Sequence, residues 1–459
     1  MISMGMLKRK EERLLTDWLA RKGRKPLIIR GARQTGKSTL VRMFAQSSGR
    51  RLVEVNFEES PRCQAIFAER NVHAVIQSLE IELDTVISSR DSLLFLDEIQ
   101  ACPPAIALLR YFYEKMPELP VLAAGSLLEF ALTEASFSMP VGRVEFMYLG
   151  PLGFGDFLGA NRGGQLADFL DNFTLDQTIP VAVHDKALSQ LRTYALTGGM
   201  PEVVNTFIES GSLLEADRVK QGIAQTFRED FNKYRGRQDL RNLYEVFDRL
   251  GSTVGRKIVY SSLLPGNRSY KAANALGLFE QARLIYRVCH SSANGLPLKA
   301  EINRKKAKGV LLDIGLYHAL NGLSLAALDR QPDLFFVNEG ALAEQFVGQH
   351  LLYGGEAYLA PELYYWSREK RQSSAEIDYL LQHRDRILPV EVKAGQAGRL
   401  RSLHLFMEQK QLGQAVRFSL HPFRVDQVSS AMPGSTYRYK LFSLPLYLVE
   451  QLSRVLSAE

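Results

Sequence analysis

Two groups of residues have types and spacings that could do chemistry. The first begins at Gly31-Ala32-Arg33-Gln34-Thr35-Gly36-Lys37-Ser38, which fits G-x-x-x-x-G-K-[ST] and lies between an apolar run, "PLIIR", and a helical pattern, "STLVRMFAQ". Glycines there let backbone N–H groups wrap a phosphate chain at a helix N-terminus, where the dipole favours negative charge. The nucleotide-binding set is then Gly31, Gln34, Thr35, Gly36, Lys37, Ser38 and Thr39, with Lys37 reaching the β- and γ-phosphates of ATP and Ser38 on Mg2+. Downstream, "SLLFLDEIQ" ends an apolar strand in Asp97 and Glu98. Asp97 would bind the magnesium through water, and Glu98 would orient and polarise the attacking water. Ser126, at the end of "PVLAAGS", could sense the γ-phosphate or cap the helix that follows, and the two roles are compatible. Arg143 could stabilise the transferring phosphate within its own chain or across a subunit boundary, or it could be an ordinary surface arginine.

The second group lies in the last third. In "LPVEVKAG", Glu391 and Lys393 are two apart on a strand and therefore share a face. Asp378, in "AEIDYLLQH", and Glu344, in "ALAEQFVGQH", precede them. Asp378, Glu391 and a backbone carbonyl would make an oxygen cage suited to magnesium, with Glu344 as outer ligand and Glu376 as a spare carboxylate. Lys393 would lower a water's pKa and stabilise a crowded phosphate, as a metal-dependent nuclease requires. The same residues could equally form a buried ion pair without activity.

These residues need elements to carry them. The fold class expected is α/β, in four parts. Residues 1–158 give a three-layer P-loop sheet and 159–234, with apolar residues at three and four spacing, a helical lid. Residues 235–325 give helix, short helix, helix and hairpin, the order of a winged helix. Its phosphate contacts would be Arg268, Lys271, Arg304, Lys305, Lys306 and Lys308, although such modules also serve as protein contacts. Residues 326–459 give helix, three strands, helix and strand, which resembles a restriction-endonuclease-like domain.

"RGARQTGKSTL", "LFLDEIQ", "AAGSLLEF" and "VGRVEFMYLGPLGFGDFL" together resemble the prokaryotic AAA-type ATP-binding proteins that carry a C-terminal domain of unknown function. The likeness continues through "LTGGMPEVV", "KIVYSSL", "VLLDIGL" and "PVEVKAG". It implies ATP hydrolysis on a P-loop sheet with a catalytic glutamate, Ser126 as sensor and Arg143 as candidate finger.

Bulk properties set the limits. A chain of 459 residues, 46% hydrophobic and 23% charged, is globular and long enough for several cores. Cys63, Cys102 and Cys289 lie far apart, which suggests neither a disulfide framework nor a cysteine zinc site, and the eight histidines form no close metal pair. The charged N-terminus and the absence of a long uncharged apolar run lead to the expectation of a cytoplasmic protein with no membrane partner. A net charge of +7 with pI about 9.1 is compatible with a polyanion. DNA is the expected partner and a homo-oligomer is allowed by Arg143. The rival expectation is an ATP-driven protein-remodelling or scaffold switch whose nuclease-like half only binds a protein partner.

Overall fold

A computed structural model describes residues 7–126, 128–130, 140, 142–231, 239–266, 268–323, 340–370, 373–393, 400–429 and 437–457. The chain forms two compact units. The first comprises Met1–Pro151 with Gln281–Arg283 and Glu356–Ala360; the second comprises Leu152–Glu280, Leu284–Gly355 and Pro361–Glu459. The helices expected as a lid, Val181–Thr197, Pro201–Ser210 and Leu213–Glu229, therefore fall in the second unit.

The first unit is built on a wholly parallel sheet of β1 (Leu27–Arg30), β2 (Arg51–Asn56), β3 (Ser92–Asp97), β4 (Val121–Gly125) and β5 (Glu145–Tyr148), in the order β2-β3-β4-β1-β5. Its central strands are continuous apolar runs because both faces are covered. Ile28, Leu94, Leu96 and Ala123 pack into one hydrophobic cluster, while the alternating Ile29, Leu93, Phe95 and Ala124 pack into another on the opposite face. The loops after β1, β3 and β4 consequently meet along one edge, where ligands bind in such sheets.

The second unit contains a mixed sheet of β6 (Ile285–Ser291), β7 (Ile302–Leu311), β8 (Tyr364–Lys370), β9 (Ser373–His383), β10 (Arg386–Val392), β11 (Gln414–Ser419), β12 (Arg424–Ser429) and β13 (Arg438–Pro445). The strand order is β12-β13-β11-β10-β9-β8-β6-β7. The order of helices Leu240–Phe247, Tyr260–Leu263 and Ser269–Gln281 followed by the hairpin β6–β7 agrees with the sequence pattern. The hairpin is not a separate wing, however, because β6 also pairs parallel with β8, so one sheet runs across position 325. The helix expected near Asp333 is described from Ala341 to Tyr353, its earlier part lying outside the described residues. The same holds for Ala394 and Gly395 of the "KAG" end.

Two distant sequence motifs meet inside this unit. Asp313, fully buried in "VLLDIGL", accepts hydrogen bonds from Gly199 N of "LTGGMPEVV" at 2.7 Å, from Gly315 N at 2.8 Å and from Leu316 N at 3.3 Å. Three amides replace the lost hydration of the carboxylate, so both motifs are explained by packing. No described helix is long and apolar enough to cross a membrane.

Candidate nucleotide site and carboxylate cluster

In the first unit the phosphate loop follows β1 directly and ends in the helix Lys37–Ser47. Two of its glycines are required by the backbone. A Cβ at Gly31 would stand 2.4 Å from the Leu149 carbonyl oxygen, and Gly36 has φ +85°, in the left-handed region. Lys37 is buried and donates to the carbonyls of Ala32 at 2.8 Å and Gly31 at 3.2 Å. Burial lowers its pKa to about 8, the acids Glu98 and Asp97 opposing this and the positive Arg33 and Arg283 adding to it. Thr35 Oγ1 donates to Ala32 O at 2.9 Å and shapes the loop from within, whereas Thr39 is exposed. Gln34 occupies the left-handed region at φ +62°, holding the sharp turn.

The acidic pair of β3 arrives beside this loop. Ser38 Oγ donates to Asp97 Oδ2 at 2.6 Å, and Asp97 Oδ1 accepts from Glu98 N at 3.0 Å. Burial raises the Asp97 pKa, with the Ser38 bond opposing it. Glu98 sits at φ +48° and accepts from Gln100 Nε2 at 2.6 Å and Ser126 Oγ at 3.3 Å. A backbone in this uncommon region for a non-glycine residue, together with two side-chain donors, aims one carboxylate. Oxygens of Ser38 and Asp97 lie close enough to flank one magnesium ion, so the residues present fit both the nucleotide and its metal.

Arg143 is not brought to this edge within its own chain. It precedes β5, whose Glu145 is level with Leu27 at the start of β1, so it lies at the end of the sheet opposite the phosphate loop. There it pairs with Glu114 at 2.9 Å, its guanidinium 5.9 Å from the Tyr113 ring centre. Of the two settings expected for a finger, only a neighbouring subunit's site remains open to it.

Sequence reasoning missed three residues here. Buried Arg9 donates to Thr35 O at 2.6 Å and Gly150 O at 2.7 Å, clamping the loop from below. Gln100 holds Glu98, and Arg283 pairs with Glu129 at 2.5 Å over the Tyr148 ring. Arg9 and Arg283 are far from the motif in sequence and carry no local signal. Gln100 lies two residues after Glu98 and could have been noticed.

In the second unit Glu344, Glu376, Asp378, Glu391 and Lys393 do assemble. Glu344 comes from the helix Ala341–Tyr353, Glu376 and Asp378 from one face of β9, and Glu391 from β10 with Lys393 just after it. Lys393 Nζ binds Glu391 Oε1 at 2.7 Å, as their shared face requires. Asp378 Oδ2 accepts from Val392 N at 2.8 Å. The addition is Lys308 of β7, 2% exposed, whose ammonium lies 3.5 Å from Glu344 Oε2 and 3.6 Å from Asp378 Oδ1 and forms an ion pair with Glu376 Oε1. Lys308 is thus unavailable to a nucleic-acid phosphate, contrary to expectation. Arg268 is likewise engaged, by Glu245 at 3.2 Å and Asn242 at 3.3 Å.

Burial pushes both Glu344 and Glu391 above the usual carboxylate range, neighbouring Asp378 adding to this and the lysines opposing it. Burial would lower Lys308, but Glu344, Asp378 and Glu376 outweigh it and hold its pKa well above the ordinary lysine value. Among the described residues, no three or more His, Cys, Asp or Glu side chains are arranged to hold a metal ion. An ion shared by Glu344 and Asp378 would have to displace the Lys308 ammonium, and one held by Asp378 and Glu391, the pair expected to form the cage, would have Lys308 beside Asp378 and Lys393 on Glu391 as competing cations, with the buried Glu391 Oε2 left without a hydrogen-bond partner.

Comparison with known proteins agrees with the architecture of the first unit. Residues 23–158 match the model described as AAA domain. The first unit is an AAA-type P-loop ATPase domain. Residues 188–327 match a domain of unknown function (DUF8612) and residues 339–437 another (DUF4143). No curated protein matches the chain. Similar solved structures include the ORC2 protein of Aeropyrum pernix in ADPNP-ADP complexes, with 12% identity and TM-score 0.34 over 70% of this chain and 93% of that one. AMPPCP-bound DnaA from Aquifex aeolicus has 15% identity and TM-score 0.25 over 59% of this chain and 76% of that one. The Aeropyrum pernix ORC1 protein in complex with DNA has 14% identity and TM-score 0.25 over 71% and 96%.

Proposed function

We propose that this protein binds and hydrolyses ATP with Mg2+ in its first unit and acts on nucleic acid through its second. The observation that carries the reading is Lys37, a buried ammonium bonded to loop carbonyls at a helix N-terminus, beside the Ser38–Asp97 contact and a held Glu98. Ser38 and Asp97 would hold the Mg2+, which would supply charge neutralisation for the phosphate chain. The loop amides and Lys37 bind the phosphate chain, replacing two backbone contacts with phosphate oxygens. Glu98 orients an attacking water and accepts its proton, while Gln100 and Ser126 keep the carboxylate from turning away. Ser126, bonded to Glu98, would couple a γ-phosphate contact to that carboxylate. Arg143 serves only where a second copy presents it.

For nucleic acid, the supporting feature is a basic bulge. Pairing between β6 and β7 jumps from Cys289↔Ala307 to His290↔Asn303, leaving Arg304, Lys305 and Lys306 exposed on an edge strand. Three successive cations pushed out of the ladder suit backbone phosphates, and Lys271 is exposed on the helix Ser269–Gln281. We read the helices with this hairpin as a winged-helix variant and β8–β11 with their helices as restriction-endonuclease-like, acting in the cytoplasm with DNA as partner. The salt dependence of binding to double-stranded DNA tests the reading. Replacing Arg304, Lys305 and Lys306 together with alanine should weaken binding and flatten the logarithmic salt slope by about 3. An unchanged slope would move the contact elsewhere and favour the protein-binding switch.

A further inference from the structure

The carboxylate cluster of the second unit already contains a cation. Lys308 reaches it from β7, where Gly309, Val310 and Leu311 are buried and lead the chain into the core. Its ammonium meets Glu344, Glu376 and Asp378, and it stands 5.4 Å from the ring centre of fully buried Tyr365. The acids it meets come from two elements far apart in sequence, so the lysine of β7 ties the helix Ala341–Tyr353 to β9. Asp378 Oδ2 is on the Val392 amide and Oδ1 lies 3.6 Å from the Lys308 ammonium, while Glu391 Oε1 is held by Lys393 and its Oε2 is buried without a hydrogen-bond partner. A ligand oxygen must point an available lone pair at its metal, and between Glu344, Glu376 and Asp378 that position is taken by the Lys308 ammonium.

We infer that Lys308 is the resident cation of this site, taking the place of a divalent metal, so that the second unit engages its partner without a metal-dependent cutting step. The inference concerns the second unit's chemistry alone and stands or falls independently of whether that partner is nucleic acid. It also assigns Lys308 a role different from the neighbouring, exposed Arg304, Lys305 and Lys306.

The test is Mn2+ binding to the full chain, followed by the paramagnetic signal of free Mn2+ at equilibrium, with no nucleotide present. Any ion held by the phosphate-loop unit is common to all variants and cancels in their differences. Wild type and Asp378→Asn should take up the same amount of Mn2+. Lys308→Met should gain one site, bound about tenfold or more tightly than anything wild type shows in this unit, and Lys308→Met with Asp378→Asn should lose it again. Lys308→Arg, which keeps the charge, should behave as wild type. If Lys308→Met does not fold, the wild-type and Asp378→Asn comparison decides by itself. A wild-type site abolished by Asp378→Asn would overturn the inference, and so would a folded Lys308→Met protein that takes up no additional ion.

Discussion

Two buried lysines in one chain hold their charge in opposite ways. Lys37 is bonded to backbone carbonyls of its own loop and its pKa falls to about 8, because burial is only partly offset by Glu98 and Asp97. Lys308 is surrounded by Glu344, Glu376 and Asp378, and its pKa rises despite equal burial. A buried ammonium resting on dipoles is short of negative charge and gains from an arriving phosphate. One saturated by carboxylates already has its anions. The first lysine therefore lacks a neutralising anion of its own, whereas the second already has three carboxylates around it.

Substitutions should affect the two lysines differently. The largest effect is expected for Glu98→Gln, which should lower ATP turnover by about 100- to 10,000-fold while nucleotide binding persists. Turnover rates beside equilibrium binding of labelled ATP check this, and unchanged turnover would remove Glu98 from the role of base. Next, Lys308→Met should destabilise the second unit by about 3–5 kcal/mol, since it strands buried carboxylates, as read from denaturant melts. Lys37→Met, measured the same way without nucleotide, should change stability by less than about 1 kcal/mol or raise it, since it removes a charge that burial disfavours. Equal losses in the two variants would erase the distinction drawn between the lysines.

A smaller effect concerns pH. The free Lys37 loses its proton as pH rises through about 8, while bound phosphate favours the charged form. Binding above that pH must take up a proton, so ATP affinity should fall by up to about tenfold per pH unit there and stay level from pH 6 to 7.5. Calorimetric titrations across that range check it; an affinity that rises above pH 8 would reverse the assigned sign.

The sequence makes the first site almost wholly visible because its chemistry is local. One contiguous loop supplies the phosphate cradle, and one apolar strand delivers Asp97 and Glu98 beside it. Arg9 and Arg283 were hidden because only the folded chain brings them to the loop. The second site was half visible. Strand alternation correctly paired Glu391 with Lys393, and the order of β8, β9, β10 and β11 was readable. Lys308 was misread because "NRKKAKG" looks like a uniform solvated basic run. The bulge at Arg304–Lys306 ends at Ala307, however, and from there the strand is buried. The apolar "GVLL" immediately after Lys308 was the available signal that this one lysine enters the core. The continuity of β6–β7 with β8 could not be read at all, since parallel pairing between strands this far apart leaves no pattern in either.

The most direct test of the armed first site is steady-state ATP turnover by the purified chain, with and without double-stranded DNA, beside Lys37→Ala. Wild type should hydrolyse ATP, faster with DNA, and Lys37→Ala should lose at least about 100-fold of that rate. Absence of turnover in wild type, or turnover that Lys37→Ala retains, would contradict the account.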